Sequence, residues 1–177
     1  QIEIHLPPLA EQQRIAEILD VSQQAKQNLH RAIQNYSALS SQLVETAVGK
    51  SEHNATLESL ASISGGLALS KRRAELTLSV PYLRVANVFR NRIDLTEVKE
   101  MGCTPDEAGR TELRIGDILM TEAHGNRNEV GRVAMVDQPL ENFSYQNHLF
   151  RIRGSGTLPP LVLTHLINSR FVHQQLV

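Results

Sequence analysis

A long stretch without Pro or Gly sets the strongest limit on how this chain can fold. It runs from Leu9 to about Val48 and predicts one continuous helix of about 40 residues, roughly 60 Å long. Apolar and small residues recur in it every seven positions, on two tracks: Ile15, Ser22, Leu29, Tyr36 and Leu43, and Ile18, Ala25, Ala32, Leu39 and Thr46. A heptad repeat is typical of a helix that packs against a partner helix. The alternative is an amphipathic helix lying on its own globular domain.

The larger side chains of the two tracks define a predicted assembly seam, which consists of Ile15, Ile18, Leu29, Tyr36, Leu39 and Leu43. On the N-terminal side, Ile2, Ile4 and Leu6 alternate with polar residues before two prolines, which predicts the last strand of a preceding domain over residues 1–8. On the C-terminal side, Gly49 is suited to a left-handed cap. We therefore expect a helix over residues 9–50.

After the helix the hydrophobic period changes from that of a helix to that of strands. Five short, mostly alternating segments predict strands: Leu60 to Gly66, Tyr82 to Val88, Asp117 to Thr121, Val130 to Val136 and His148 to Arg153. A capping box from Thr104 to Glu107 predicts a short helix that ends before Leu113. Pro159 and Pro160 open a last helical stretch. The predicted fold class is α+β, a long heptad-patterned helix followed by a mixed α/β domain over residues 51–177.

The composition excludes several classes of protein. The 177 residues carry 18 Lys and Arg against 19 Asp and Glu, so a histone-like polybasic binder is excluded. One cysteine allows neither an internal disulfide nor a Cys-rich zinc framework, which favours a reducing, cytoplasmic setting. No apolar run approaches the roughly 20 residues that span a bilayer, so we expect no membrane partner.

The sequence offers only weak signals for catalysis. The segment from Gly125 to Gly131 has the wrong residues for a phosphate-binding loop, and no two histidines lie three or four residues apart, as helical metal ligands would. Cys103 with His124 or His148 leaves a small cysteine hydrolase as a formal alternative. We therefore expect a protein without catalytic residues, metal or cofactor of its own.

The distribution of charge along the chain is more informative. The 22 residues from Lys71 to Arg92 hold six basic residues and one acid, whereas the next 30 hold three basic residues and eight acids. A basic segment of this kind suits contacts to DNA phosphates, which supply affinity without sequence choice. The predicted phosphate-binding residues are Lys71, Arg72, Arg73 and Arg84.

Two segments carry side chains of the types that read base edges in DNA. Arg pairs with guanine and Asn with adenine, each through two hydrogen bonds. The first supplies Asn87, Arg90, Asn91 and Arg92, and the second supplies His124, Asn126, Arg127 and Asn128. The alternative is that these are ordinary polar loop residues. Aromatic residues make up only 4% of the chain, which argues against single-strand binding by base stacking.

Several motifs resemble type I restriction-modification specificity subunits. The segment Leu6-Pro7-Pro8-Leu9-Ala10-Glu11-Gln12-Gln13-Arg14-Ile15-Ala16 resembles the junction at which a target recognition domain is followed by a conserved helix. Four later segments resemble the framework of such a domain, in the same order: Tyr82 to Val88, Gly116 to Glu122, Val130 to Ala134 and Gln146 to Arg151. A second junction and a second helix are missing, so the resemblance implies an incomplete copy whose recognition domain is incomplete at its C-terminus.

The resemblance implies a non-catalytic component that binds double-stranded DNA specifically and directs methyltransferase and restriction subunits to a bipartite target. S-adenosylmethionine, ATP and magnesium are then expected only on those partner subunits. The helix is expected to pair with a second helix from its own longer chain or from another copy. The competing hypothesis is a protein-interaction module that docks to, or competes for, methyltransferase subunits through its helix without binding DNA.

Overall fold

The computed structural model describes residues 6–50 and 54–176. The strand predicted around Ile2 and Ile4 lies outside the described residues. The chain divides into two compact units, Gln1–Leu43 and Val44–Val177. The first unit consists mainly of the long helix, and the second contains all the strands of the described residues.

The predicted long helix is confirmed as α1, Leu9–Gly49. The carbonyl of Pro8 accepts hydrogen bonds from the backbone N–H groups of Glu11 and Gln12, which closes the first turn. The predicted left-handed cap at Gly49 is wrong, because Gly49 is the last helical residue and its φ is not positive. The helix ends instead in a tighter turn, in which the N–H of Lys50 donates to the carbonyl of Ala47 at 3.3 Å.

No residue of α1 is buried. The apolar side chains of the assembly seam are all largely exposed, between 42% for Ile15 and 71% for Leu43. The heptad pattern therefore lies on a face that the described residues leave open to solvent.

The second unit contains a four-stranded antiparallel sheet. Its strands are β1 (Ala61–Gly65), β6 (Ile118–Thr121), β7 (Val133–Met135) and β9 (Leu149–Gly154), in the order β1-β9-β6-β7. These strands confirm four of the five predicted strand segments, with β7 shorter than expected. A short helix, α2 (Leu57–Leu60), leads into β1.

A second, three-stranded sheet consists of β2 (Leu78–Leu83), β5 (Lys99–Cys103) and β8 (Ser144–Tyr145), in the order β5-β2-β8. A two-stranded hairpin is formed by β3 (Val88–Phe89) and β4 (Arg92–Ile93). The two-residue strands β4 and β8 were not predicted, because strands this short carry no alternation of apolar and polar residues. β5 was not predicted either, because Lys, Glu and Gly, which make up three of its five residues, are depleted in strands.

The predicted continuous strand from Tyr82 to Val88 is wrong, because a 3₁₀ turn at Val85–Asn87 separates β2 from β3. The side-chain oxygen of Asn87 accepts from the N–H of Arg84 at 3.0 Å, and the N–H of Asn87 donates to the carbonyl of Arg84 at 2.9 Å. A short polar side chain that bonds the backbone locally competes with strand pairing and turns the chain.

The predicted capping box is confirmed at the start of α3 (Pro105–Thr111), where Thr104 and Glu107 each bond the other's backbone N–H. The predicted last helical stretch is two helices, α4 (Pro160–Ile167) and α5 (Arg170–Leu176). They are separated at Asn168, whose side chain bonds to β7.

Three clusters of buried apolar residues hold this unit together. One contains Leu83, Leu119 and Tyr145 and lies between the two sheets, a second packs α4 on the four-stranded sheet through Ile152 and Leu163, and a third lies around Val80 and Cys103. This core fixes the strand ends from which the loops of interest leave.

Candidate nucleic-acid interface

The pairing register brings several loops to one end of the four-stranded sheet. Gly65 at the end of β1 pairs with Phe150, Thr121 at the end of β6 pairs with Leu149, and Met120 pairs with Val133 at the start of β7. Because neighbouring strands are antiparallel, the segments that leave or enter the sheet here share one end. We call the segments 66–75, 122–132 and 146–148 the loop end.

Backbone hydrogen bonds join these segments directly. The N–H of Asn147 donates to the carbonyl of Leu67 at 2.9 Å, and the N–H of Glu122 donates to the carbonyl of His148 at 3.0 Å. These bonds join the three segments where they leave or enter the sheet.

The hairpin β3–β4 is attached to the same surface. The N–H of Asn91 donates to the carbonyl of Val133 at 2.8 Å, and the guanidinium of Arg90 donates to the carbonyl of Asn128 at 2.9 Å. The two segments predicted to read bases are separated by more than 30 residues in the sequence. The structure brings them into contact.

Not every residue of these segments is available to a ligand. Asn87 is 3% exposed, and its amide NH₂ donates to the carbonyls of Asp94 and Glu97, both at 2.9 Å. Arg84 donates to the carbonyl and the carboxylate of Glu97, at 3.0 and 3.2 Å. In this fold both side chains hold the turn that follows β2.

Arg90 and Asn91 are also tied to the protein. Arg90 donates to the side-chain oxygen of Asn168 at 3.1 Å, and the side-chain oxygen of Asn91 accepts from the amide of Asn168 at 2.6 Å. Asn168 also bonds both backbone groups of Val133. This one side chain therefore joins the end of α4, the hairpin and the first residue of β7.

Arg73, one of the predicted phosphate ligands, is a structural residue. It pairs with the carboxylate of Glu107 through two hydrogen bonds of 3.0 and 2.9 Å, and it also donates to the carbonyls of Ala68 and Gly102. The Glu107 hydrogen bond raises the pKa of Arg73. The hydrogen bond from Arg73, followed by that from the N–H of Thr104, lowers the pKa of Glu107 to about 2.

Other predicted residues are exposed and uncommitted. The side chains of Lys71, Arg72 and Arg127 are exposed and make no hydrogen bond or ion pair with any residue in the described part of the chain. Arg92, at the end of the hairpin, has 59% of its side chain exposed and bonds Asp94 at 3.2 Å. These four residues are the predicted basic contacts whose side chains remain accessible to a ligand.

The segment from His124 to Asn128 is ordered by its own side chains. The ring Nδ1 of His124 accepts from the N–H of Asn126, and the side-chain oxygen of Asn126 accepts from the N–H of Asn128, both at 3.0 Å. All five residues of this segment are exposed. They form a short, pre-shaped projection next to the hairpin.

Sequence reasoning missed Arg132, which supports the loop end from within. It is 6% exposed, its Nε donates to the carbonyl of Val88 at 2.7 Å, and it pairs with Glu129 at 3.1 Å. Its guanidinium also lies 5.4 Å from the centre of the Phe89 ring. The one sequence signal that could have indicated Arg132 is its position as a basic residue within the apolar segment Val130 to Val136.

Sequence reasoning also missed an exposed acid at the loop end. A carboxylate oxygen of Glu122 lies 3.0 Å from Nδ1 of His148, and both side chains are about half exposed. Nothing in the separate segments Asp117 to Thr121 and His148 to Arg153 indicated this pair.

At the opposite end of the four-stranded sheet, charged side chains are paired with one another. There the buried carboxylate of Asp117 pairs with Arg153 through two hydrogen bonds of 2.6 and 2.7 Å, and it also accepts from the N–H of Arg114. The Asp117 hydrogen bond raises the pKa of Arg153. These charges are satisfied within the protein and lie away from the loop end.

The geometry does not support a cysteine nucleophile. Cys103 is 1% exposed, and burial raises the pKa of its thiol, whereas an active nucleophile requires a lowered pKa and access to substrate. Among the described residues no group of three or more His, Cys, Asp or Glu side chains is placed to hold a metal ion. Within residues 6–50 and 54–176, no helix combines the length and hydropathy required to span a bilayer.

Comparison with known proteins relates the chain to one class. It is 29% identical over 170 residues to the type I restriction enzyme EcoKI specificity subunit of Escherichia coli K12, a match that covers 86% of this chain and 37% of the relative. The chain thus spans well under half the length of this relative. No family model matches the chain.

The fold resembles the crystal structure of the HsdS subunit from Thermoanaerobacter tengcongensis, with a TM-score of 0.52 at 15% identity, over 97% of this chain and 43% of that one. This likeness concerns the fold alone. The two comparisons confirm the resemblance to type I specificity subunits and the α+β class expected from the sequence motifs.

Proposed function

We propose that this chain is the DNA-binding part of a type I restriction-modification specificity subunit and selects the site at which partner subunits act. Residues 1–8 would be the end of a preceding recognition domain, residues 9–50 the spacer helix, and residues 51–177 a recognition domain. The protein itself would catalyse no reaction. S-adenosylmethionine, ATP and magnesium would belong to methyltransferase and restriction subunits.

The observation that carries this proposal is the concentration of uncommitted polar and basic side chains at the loop end. The two predicted base-reading segments meet there. The chain also leaves β1 at this end, towards the 3₁₀ turn that carries Lys71 and Arg72. Exposed cations without protein partners can exchange counterions for DNA phosphates, whereas paired arginines such as Arg73 cannot do so without breaking the fold.

The proposed roles divide between two kinds of contact. Lys71 and Arg72 would contact phosphates, since their side chains are unconstrained and a point charge needs no fixed direction. Arg92, His124, Asn126, Arg127 and Asn128 would supply contacts to base edges.

The proposed partner of α1 is a second helix, either from the longer protein or from another copy, with methyltransferase subunits assembling around the pair. The exposed seam supports this part of the proposal, because apolar side chains repeating every seven residues along a 41-residue helix suit a partner helix.

The test is the salt dependence of duplex binding by the chain, alone and with a type I methyltransferase subunit. Lys71→Ala combined with Arg72→Ala should weaken binding to all duplexes alike and reduce the slope of log affinity against log salt by about 0.9 for each lost contact. The matched control is Arg110→Ala with Arg114→Ala, which removes two positive charges from exposed residues outside the loop end.

Equal loss of affinity in the two double variants would show that only net charge matters, and the assignment to the loop end would be wrong. If the parent protein binds the methyltransferase subunit but no duplex under any salt condition, the competing interaction-module hypothesis replaces the proposed function.

A further inference from the structure

We propose that Arg92 is the main specificity-determining residue of the hairpin and that it recognises a guanine in the major groove. Phe89 and Asp94 act as its positioning residues. This inference rests on the proposed function and deepens it, because it selects one residue among the eight side chains predicted to read bases and names the base.

The hairpin places Phe89 and Arg92 side by side. Phe89 in β3 and Arg92 in β4 are directly paired across the hairpin, so their side chains project from the same face. Arg90 and Asn91 form the turn between them, and Asn91 has a φ of 59°, a left-handed conformation that Asn tolerates better than most residues.

Two contacts fix the orientation of the Arg92 guanidinium. Its central carbon lies 4.5 Å from the centre of the Phe89 ring, within range of a cation–π interaction. Its Nη1 donates to the carboxylate of Asp94 at 3.2 Å. Asp94 is itself held by Thr96, whose N–H and hydroxyl donate to the other carboxylate oxygen at 3.0 and 2.7 Å.

These contacts leave one edge of the guanidinium free. Neither Nε nor Nη2 of Arg92 donates to any residue within 6–50 or 54–176, and 59% of the side chain is exposed. The Nε–Nη2 edge is a planar pair of donors, and guanine presents a matching pair of acceptors, O6 and N7, in the major groove. The other bases do not offer two adjacent acceptors there.

Arg90, the other arginine of the hairpin, differs from Arg92 in how its guanidinium is bonded. Arg90 donates through Nη1 to the side-chain and backbone oxygens of Asn168 and through Nη2 to the backbone carbonyl of Asn128, so both terminal nitrogens of its guanidinium are used inside the protein. Of the two arginines, only Arg92 presents a free edge outward.

A base contact fits Arg92 better than a phosphate contact does. The carboxylate of Asp94 offsets much of the positive charge, which weakens non-directional attraction to the DNA backbone. The fixed plane instead favours a directional, bidentate bond, because little conformational entropy remains to be lost on binding.

The test is selection from randomised duplexes by the chain with a type I methyltransferase subunit, comparing the parent with Arg92→Ala and Phe89→Leu. Arg92→Ala should lose roughly 10- to 100-fold of the preference for guanine at one position and retain the preferences elsewhere. Phe89→Leu keeps the arginine but removes the ring, so it should relax the same position by a smaller factor. Arg72→Ala serves as the matched control and should leave the selected motif unchanged.

Thermal unfolding of Arg92→Ala should match that of the parent, because the side chain is largely exposed. The inference is overturned if Arg92→Ala recovers the parent motif, or if it weakens all duplexes equally, as a phosphate contact would. If the parent protein selects a motif in which no guanine depends on Arg92, the inference is overturned and the proposed function stands. A parent that selects no duplex at all overturns both.

Discussion

In α1 none of the 41 residues is buried, whereas the domain from Leu57 onward encloses three clusters of buried apolar side chains. Both regions contain many Leu, Ile and Val residues, but only the domain removes them from water within its own chain. The hydrophobic effect therefore stabilises the domain by itself. For α1 the same effect becomes available only when another surface covers the seam.

The largest expected effect on stability comes from making the same substitution, Leu to Ala, in each of the two regions. Leu119 in β6 is fully buried in the apolar cluster between the two sheets, so Leu119→Ala should destabilise the domain by about 2–5 kcal/mol. Leu29→Ala in α1, where the side chain is 63% exposed, should change stability by less than about 0.5 kcal/mol. Urea unfolding of both variants measures the two values, and similar losses would contradict the comparison.

A smaller loss of stability is expected from breaking the ion pair between Arg73 and Glu107. This pair joins the 3₁₀ turn at Lys71–Glu75 to α3. The pKa of Glu107 is lowered from 4.5 to about 2, so the pair contributes fully above about pH 4.5 and is lost as the pH falls towards 2. Glu107→Gln should therefore cost about 1–2 kcal/mol near neutral pH, less than the full shift because the carboxylate is partly exposed.

Unfolding measured between about pH 2 and pH 7 checks this prediction, since the parent and Glu107→Gln should converge at the acid end. A difference that stays constant with pH would show that the carboxylate charge does not contribute. Glu112→Gln is a suitable control, because among the described residues its carboxylate pairs with Arg114, whose side chain is exposed.

The smallest effect on the stability of a single chain is expected from Leu29→Glu, because its side chain stays in solvent. Its effect on assembly should be large, since a charge buried without a partner in an apolar seam costs several kcal/mol. Sedimentation and methyltransferase binding measure this loss, and Gln27→Glu, in the same helix but outside the seam, is the control. If Leu29→Glu assembles like the parent, the seam is not the assembly surface.

Much of the fold could be predicted from local patterns. The absence of Pro and Gly predicts α1, the Thr104–Glu107 capping box predicts the start of α3, and alternation predicts four strands of the larger sheet. These features depend on neighbouring residues, and local propensity and backbone bonding are sufficient to specify them.

The candidate site was predictable only as a set of residue types. The segments around Arg90 and Arg127 were identified by composition, but their meeting depends on the register of β6, β7 and β9. Asn168 was not identified as a residue that supports the site, because the hydrogen-bond partners of its side chain lie at least 35 positions away in the sequence. Long-range contacts of this kind leave no periodic signal.

Local sequence patterns are enough to specify that a long helix with an apolar heptad seam precedes an α+β domain, and that basic residues concentrate between Lys71 and Arg92. Which of those cations are free depends on how the chain packs. Arg73 and Arg90 are bound by protein acceptors, whereas Lys71, Arg72 and the outer edge of Arg92 are not. The physical reason is that the partners of a guanidinium are set by chain segments distant in sequence, which approach one another only when the core packs.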